Sequence, residues 1–231
     1  AESTRRVRLV SACGTSVGFV LSAFGSCCGR SEDAKPMSSE KPQAVFRGEY
    51  SPPDYWIDSV DLDFELGEGE TRVRARLIIR RSEGLSGDVP PLVLVGEEIE
   101  CLGVWLEGEA LAESQYRSSA DELVIDRPPA RFELETLVRI KPQENTALSG
   151  LYRTSGIFCT QCEAMGFRRI TYFLDRPDVM ARYTTTITAD KAEYPVMLSN
   201  GNRVLEEDLG DGRHRVRWED PFPKPSYLFA L

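Results

Sequence analysis

Along most of the chain, apolar and polar residues alternate one by one. In VDLDFEL, residues 60–66, Val60, Leu62, Phe64 and Leu66 fall on one side and Asp61, Asp63 and Glu65 on the other. After the turn GEGET comes RVRARLII, in which Val73, Ala75, Leu77 and Ile79 share a face opposite Arg72, Arg74 and Arg76. A period of two belongs to a strand with one buried face, and two such runs around a glycine-rich turn predict a hairpin. Its acidic and basic rows then face each other on the solvent side, where each cross-strand pair contributes about 0.2–1 kcal/mol. A solvated face accounts for these charges.

Further strands are predicted at 91–95, 100–106, 122–125, 131–140, 182–190, 195–199, 213–219 and 226–231, with SNGN (199–202) and GDG (210–212) as turn signals. Many short strands at regular spacing predict an all-β fold, a β-sandwich or related assembly of sheets. One segment departs from the pattern. In LDRPDVMARY, Asp175 precedes Arg176-Pro177, and an acid capping a first-turn proline predicts one short helix near 176–182. The stretch KPQENTALSGLYRTSG, residues 141–156, reads as a long loop, a length that tends to carry function.

Composition adds limits. The 231 residues suffice for one large all-β domain or two small ones, and 41 % hydrophobic residues suffice for a core. The net charge of −9 is uneven: residues 1–48 carry +3, leaving −12 on the remainder. An acidic body argues against a nucleic-acid backbone as partner, because that affinity comes from clustered Lys and Arg.

The first 48 residues lack the alternation. Arg5, Arg6 and Arg8 precede an uncharged, moderately apolar run from Leu9 to Gly29. This order predicts a leader over 1–30 for organelle or secretory targeting. The run is also long enough for a membrane anchor, although Ser, Gly, Thr and Cys dilute it. Without a genuine leader the protein would be cytoplasmic. Residues 31–48 are a polar linker with no apolar face, expected to be disordered, and the β domain follows over 49–231. SYLFAL at 226–231 is an apolar strand with no polar exit, as in a chain cut short.

Candidate chemistry is sparse. The one histidine, His214, lies in the strand-like RHRVRW, and H-E-x-x-H, Walker and G-x-G-x-x-G patterns are absent. Attention falls on FCTQCEAMGFRR, residues 158–169. Cys159 and Cys162 form a C-x-x-C, but a zinc site needs four ligands, and only Cys101 and His214 remain, in no recognised spacing. A redox C-x-x-C heads a helix after a strand, a context this region lacks. Free thiols, wholly or partly buried, remain as the plain reading. Gln161 and Glu163 lie two residues apart, so in an extended chain both point the same way. A carboxylate beside an amide can bind an ammonium group; a surface acid is the alternative.

At these residues the sequence resembles a known family. From YSPPDYWIDSVDLDFEL through NTALSGLYRTSGIFCTQCEAMGFRRITYFLDRPDVMARYTTTITADK to YPVMLSNGNRV and WEDPFPKPSYLFAL, it is similar to the N-terminal domain of M1-family (aminopeptidase N-like) zinc aminopeptidases, over about residues 46–231. The resemblance implies a large β-sandwich or saddle of mostly antiparallel strands, docked within the same chain against a catalytic domain downstream. It implies that Glu163 binds the free α-amino group of a peptide substrate and that Gln161 helps line the same subsite. It also implies one zinc ion, held by the downstream domain, so that no catalytic residue and no metal ligand lies in this chain and the chain alone is inactive. The family pattern usually carries a second acid where Met165 stands. The alternative reading is a β-sandwich that keeps the fold for protein contacts without catalysis.

Overall fold

The hairpin predicted from alternation forms as β1 (Tyr55–Leu66) and β2 (Thr71–Arg81), in the computed structural model that describes residues 47–85, 87–119 and 121–231. Asp61, Asp63 and Glu65 pair in register with Arg76, Arg74 and Arg72, so the acidic row does meet the basic row. A bulge at Asp58 lets Tyr55 and Ile57 share the buried face with Val60, Leu62 and Phe64, and Asp58 binds Arg80 and Arg131, each at 2.8 Å.

The other strands are β3 (Leu92–Val95), β4 (Glu100–Leu106), β5 (Glu109–Ala110), β6 (Tyr116–Ser118), β7 (Glu122–Ile125), β8 (Arg131–Ile140), β9 (Gly150–Thr154), β10 (Ile157–Gln161), β11 (Met180–Asp190), β12 (Asn202–Asp208) and β13 (Arg213–Pro225). They make an eight-stranded sheet in the order β12-β13-β11-β1-β2-β8-β4-β5, a three-stranded sheet β3-β7-β6 and the hairpin β9-β10. Pairing is antiparallel except between β1 and β11, which run parallel at the centre of the large sheet.

One face of the large sheet is the core side. It carries Leu62, Phe64, Leu77, Ile79, Leu134, Val138, Tyr183 and Ile187, all buried. Leu92, Leu94, Leu123 and Ile125 of the small sheet and the segment from Phe167 to Phe173 join the same core. Val95 and Phe173 exchange backbone hydrogen bonds at 2.9 and 3.0 Å, and Thr171 reaches Thr136 of β8 at 3.3 Å. These contacts give the layers that alternation implied.

Four expectations are corrected. The helix near 176–182 does not form. The Asp175 carboxylate is taken by Ser226 and Arg168 instead of capping, Arg176–Val179 makes a single turn, and β11 starts at Met180 because Ala181 and Tyr183 must face the core beside β1. Residues 195–199 form no strand: Pro195 has no N–H to give, and the Met197 carbonyl accepts from the Trp218 indole at 3.3 Å. Residues 226–231 open with a 3-10 turn, Ser226–Leu228. The long loop at 141–156 is shorter than expected, because Gly150 starts β9.

The leader over 1–30 lies outside the described residues. So does most of the linker over 31–48; its described end, Arg47 and Gly48, joins Glu49 in one 3-10 turn, Arg47–Glu49. The compact β unit spans Tyr50–Leu231. Among the described residues no helix is long and apolar enough to cross a membrane.

Candidate functional site

Glu163 is displayed by a short loop whose two ends are fixed differently. On the N-terminal side is the β9-β10 hairpin. Its turn residues Ser155 and Gly156 have φ of 49° and 83°, the geometry of a tight two-residue hairpin turn. The hairpin closes with Gln161 opposite Gly150, and the next residue, Cys162, is 2 % exposed. Glu163, Ala164 and Met165 are then exposed, and the Glu163–Ala164 peptide is cis. The chain is buried again at Gly166 and Phe167.

The C-terminal end is held by backbone and rings. The Gly166 N–H donates to the Cys162 carbonyl at 2.8 Å. A Cβ on Gly166 would lie 2.8 Å from the Ser149 hydroxyl, 2.9 Å from the Gly150 nitrogen and closer still to the Gln161 carbonyl, so only glycine fits. Phe167 is enclosed by Phe173, Phe229 and Tyr183, with ring centroids at 4.7, 5.3 and 6.0 Å in edge-to-face arrangements.

Gln161 and Glu163 are therefore brought together. The Gln161 side-chain amide donates to the Glu163 carbonyl at 3.2 Å and braces the loop. The Glu163 carboxylate has no hydrogen-bond or ion-pair partner among the described residues. Nearby cations are engaged elsewhere: Arg169 pairs with Glu97 and, at 2.7 Å, Glu98; Arg168 pairs with Asp175 at 3.0 Å; Arg153 pairs with Glu68 at 2.9 Å. The arrangement can receive a cation from outside.

The other candidates do not assemble. Cys101, Cys159 and Cys162 are free thiols. Burial, helped by the Asp175 carboxylate, pushes the Cys162 thiol up to about 12, so at neutral pH it is neither a nucleophile nor a ready metal ligand. His214 is buried on β13 with Nε2 at 2.8 Å from the Tyr194 carbonyl oxygen. Among the described residues no group of three or more His, Cys, Asp or Glu is placed to hold a metal ion, and these residues do not fit zinc. Pattern reasoning overlooked Asp175 as a buried partner of Arg168, next to the end of the loop; its only signal, an acid before Arg-Pro, was equally that of a helix cap.

Residues 108–228 match the peptidase M1 N-terminal domain. The chain belongs to this family. Over 193 residues it is 47 % identical to aminopeptidase N of Escherichia coli, covering 84 % of this chain and 22 % of that protein. Aminopeptidase N of Caulobacter vibrioides is 48 % identical over 195 residues, with the same two shares. The chain thus spans 22 % of the length of these curated relatives. Among solved structures, Legionella pneumophila aminopeptidase A in complex with aspartic acid has a TM-score of 0.75 at 38 % identity, covering 80 % of this chain and 22 % of that one. An M1 zinc metallopeptidase from Deinococcus radiodurans, at 17 % identity and a TM-score of 0.64, covers 77 % of this chain and 41 % of its own, and shares the fold.

Proposed function

We propose that this M1 N-terminal domain is the substrate-anchoring part of a zinc-dependent aminopeptidase that removes N-terminal amino acids from peptides. Glu163 binds the α-ammonium of the substrate, and Gln161 braces the loop and borders the same subsite. The observation that carries this reading is an unpartnered carboxylate on a loop clamped by buried residues at both ends. A fixed anion in a water-poor pocket holds an ammonium by charge-assisted hydrogen bonds and sets which bond of the peptide is presented. Zinc, which in such an enzyme supplies the Lewis acid, would sit in a downstream domain.

The apolar rim next to β10 supports docking of that downstream domain within the same chain. Ile157, Val196 and Leu198 are 65 %, 73 % and 60 % exposed around a groove of about 270 Å³ that Leu231 also lines. The Leu231 N–H donates to Thr160 Oγ1 at 2.9 Å, three residues before Glu163. A downstream domain seated on this groove would lie beside β10, which leads into the Glu163 loop, and would close that loop from water. The N-terminal domain on its own is then inactive.

The test is Glu163→Ala in the full-length protein. With an aminoacyl anilide, kcat/KM should fall at least about 100-fold, while an analogue lacking the α-amine should show no further loss. Unchanged kinetics would sink the anchor and return the domain to the protein-contact reading.

A further inference from the structure

We infer that Asp175 is a positioning residue that fixes Glu163 from beneath the loop. The inference rests on the reading of Glu163 as the amine anchor. Because the Glu163 carboxylate has no partner of its own, its placement comes from the backbone on either side, and the C-terminal side is tied to Asp175 through Arg168.

The Asp175 side chain is 1 % exposed, and both of its oxygens are occupied. Oδ1 accepts from the Ser226 hydroxyl at 2.6 Å. Oδ2 accepts from Arg168 twice, from Nε at 3.0 Å and from the backbone N–H at 3.3 Å, and Arg168 Nη2 donates to the Asp175 carbonyl at 3.2 Å. One buried anion thereby joins three stretches of chain: the turn Phe167–Arg169, the segment at 174–176 and the 3-10 turn Ser226–Leu228. The first is where the Glu163 loop ends. At the other end of the loop, Cys162 lies close enough to the same carboxylate for its thiol to feel the charge.

An apolar replacement would hold such a site at least as stably, because burying an ion pair costs several kcal/mol in lost hydration. What the pair adds is a directional, many-bonded fixture. A catalytic group displaced by about 1 Å can lose about 100-fold in rate, so a fixture of this kind has a functional return.

The experiment is a double-mutant cycle in the full-length protein, read as kcat/KM on an aminoacyl anilide with thermal melting in parallel. Asp175→Asn keeps the shape and removes the charge. It should lower kcat/KM about 10-fold when Glu163 is present and less than about 2-fold when Glu163→Ala is already in place. Ser226→Ala is the gentler arm, removing one hydrogen bond, and decides the question if Asp175→Asn does not fold. It should cost about 3-fold with Glu163 and nothing measurable without it. Equal losses in both backgrounds, or no loss from either variant, would overturn the positioning role while leaving the anchor intact. An inert Glu163→Ala would overturn the anchor, and the positioning role with it.

Discussion

The outer face of the large sheet and the loop after β10 treat charge in opposite ways. On the sheet, Asp61, Asp63 and Glu65 lie opposite Arg76, Arg74 and Arg72, Arg74 also binds Glu135, and Arg217 reaches Asp61 at 3.3 Å. On the loop, Glu163 is exposed and unpartnered, above a base from which water is excluded. The sheet uses strand register to cancel charge across its solvent face, where each pair adds little. The loop uses buried anchors to keep one charge uncancelled in a fixed place.

The comparison can be strained from both sides. The largest effect should come from the base of the loop. With its thiol raised to about 12, Cys162 should react with a thiol reagent at pH 8 at least about 1,000-fold slower in the native protein than after unfolding, as read by peptide mass mapping. Comparable rates would mean the base is open. Next, Gly166→Ala should lower the unfolding free energy by about 3 kcal/mol in urea titration, because the methyl group meets backbone atoms that cannot retreat. A loss below about 0.5 kcal/mol would show the clamp to be soft.

The sheet side should respond more weakly. Arg74→Glu sets an acid opposite Asp63 and beside Glu135, and should cost about 1–2 kcal/mol. Added salt should shrink that cost, and peptidase kinetics per folded molecule should not change. If kinetics fell with it, the two regions would not be separate. The smallest effect concerns Asp178, whose carboxyl is held below the ordinary range by its hydrogen bond to Arg176, against some opposing burial. A depressed folded value stabilises above the unfolded pKa of about 4 and is lost as pH falls through the folded one. The stability gap between the native protein and Asp178→Asn, below about 1 kcal/mol at pH 7, should therefore vanish toward pH 2.

Much of this was legible in the sequence where one face of a strand is buried and the other wet. Glu100–Leu106, Glu122–Ile125 and Arg131–Ile140 have the ends that alternation and turn signals predict. The edge strand Asn202–Asp208 left no such signal, because it is exposed almost throughout. Asp175-Arg176-Pro177 misled, since local capping chemistry and a long-range ion pair use the same residue types. At the site, Gln161 and Glu163 were visible as a pair only by residue type and spacing. That the loop is clamped depends on Gly166, Phe167 and Asp175, whose partners are Gly150, Phe229 and Ser226. No local pattern can report contacts made across such distances in the chain.

The parallel seam between β1 and β11 also has a consequence in time. Ser59 waits for Arg182, and Glu65 for Thr188, before the centre of the large sheet can close. At ribosomal speeds of about 5–20 residues per second, that wait is on the order of ten seconds. During it β1, paired only with β2, offers an unzipped edge to any passing strand. Mutations that slow the pairing of β11 should therefore show first as aggregation during synthesis, before any loss of stability in the finished protein.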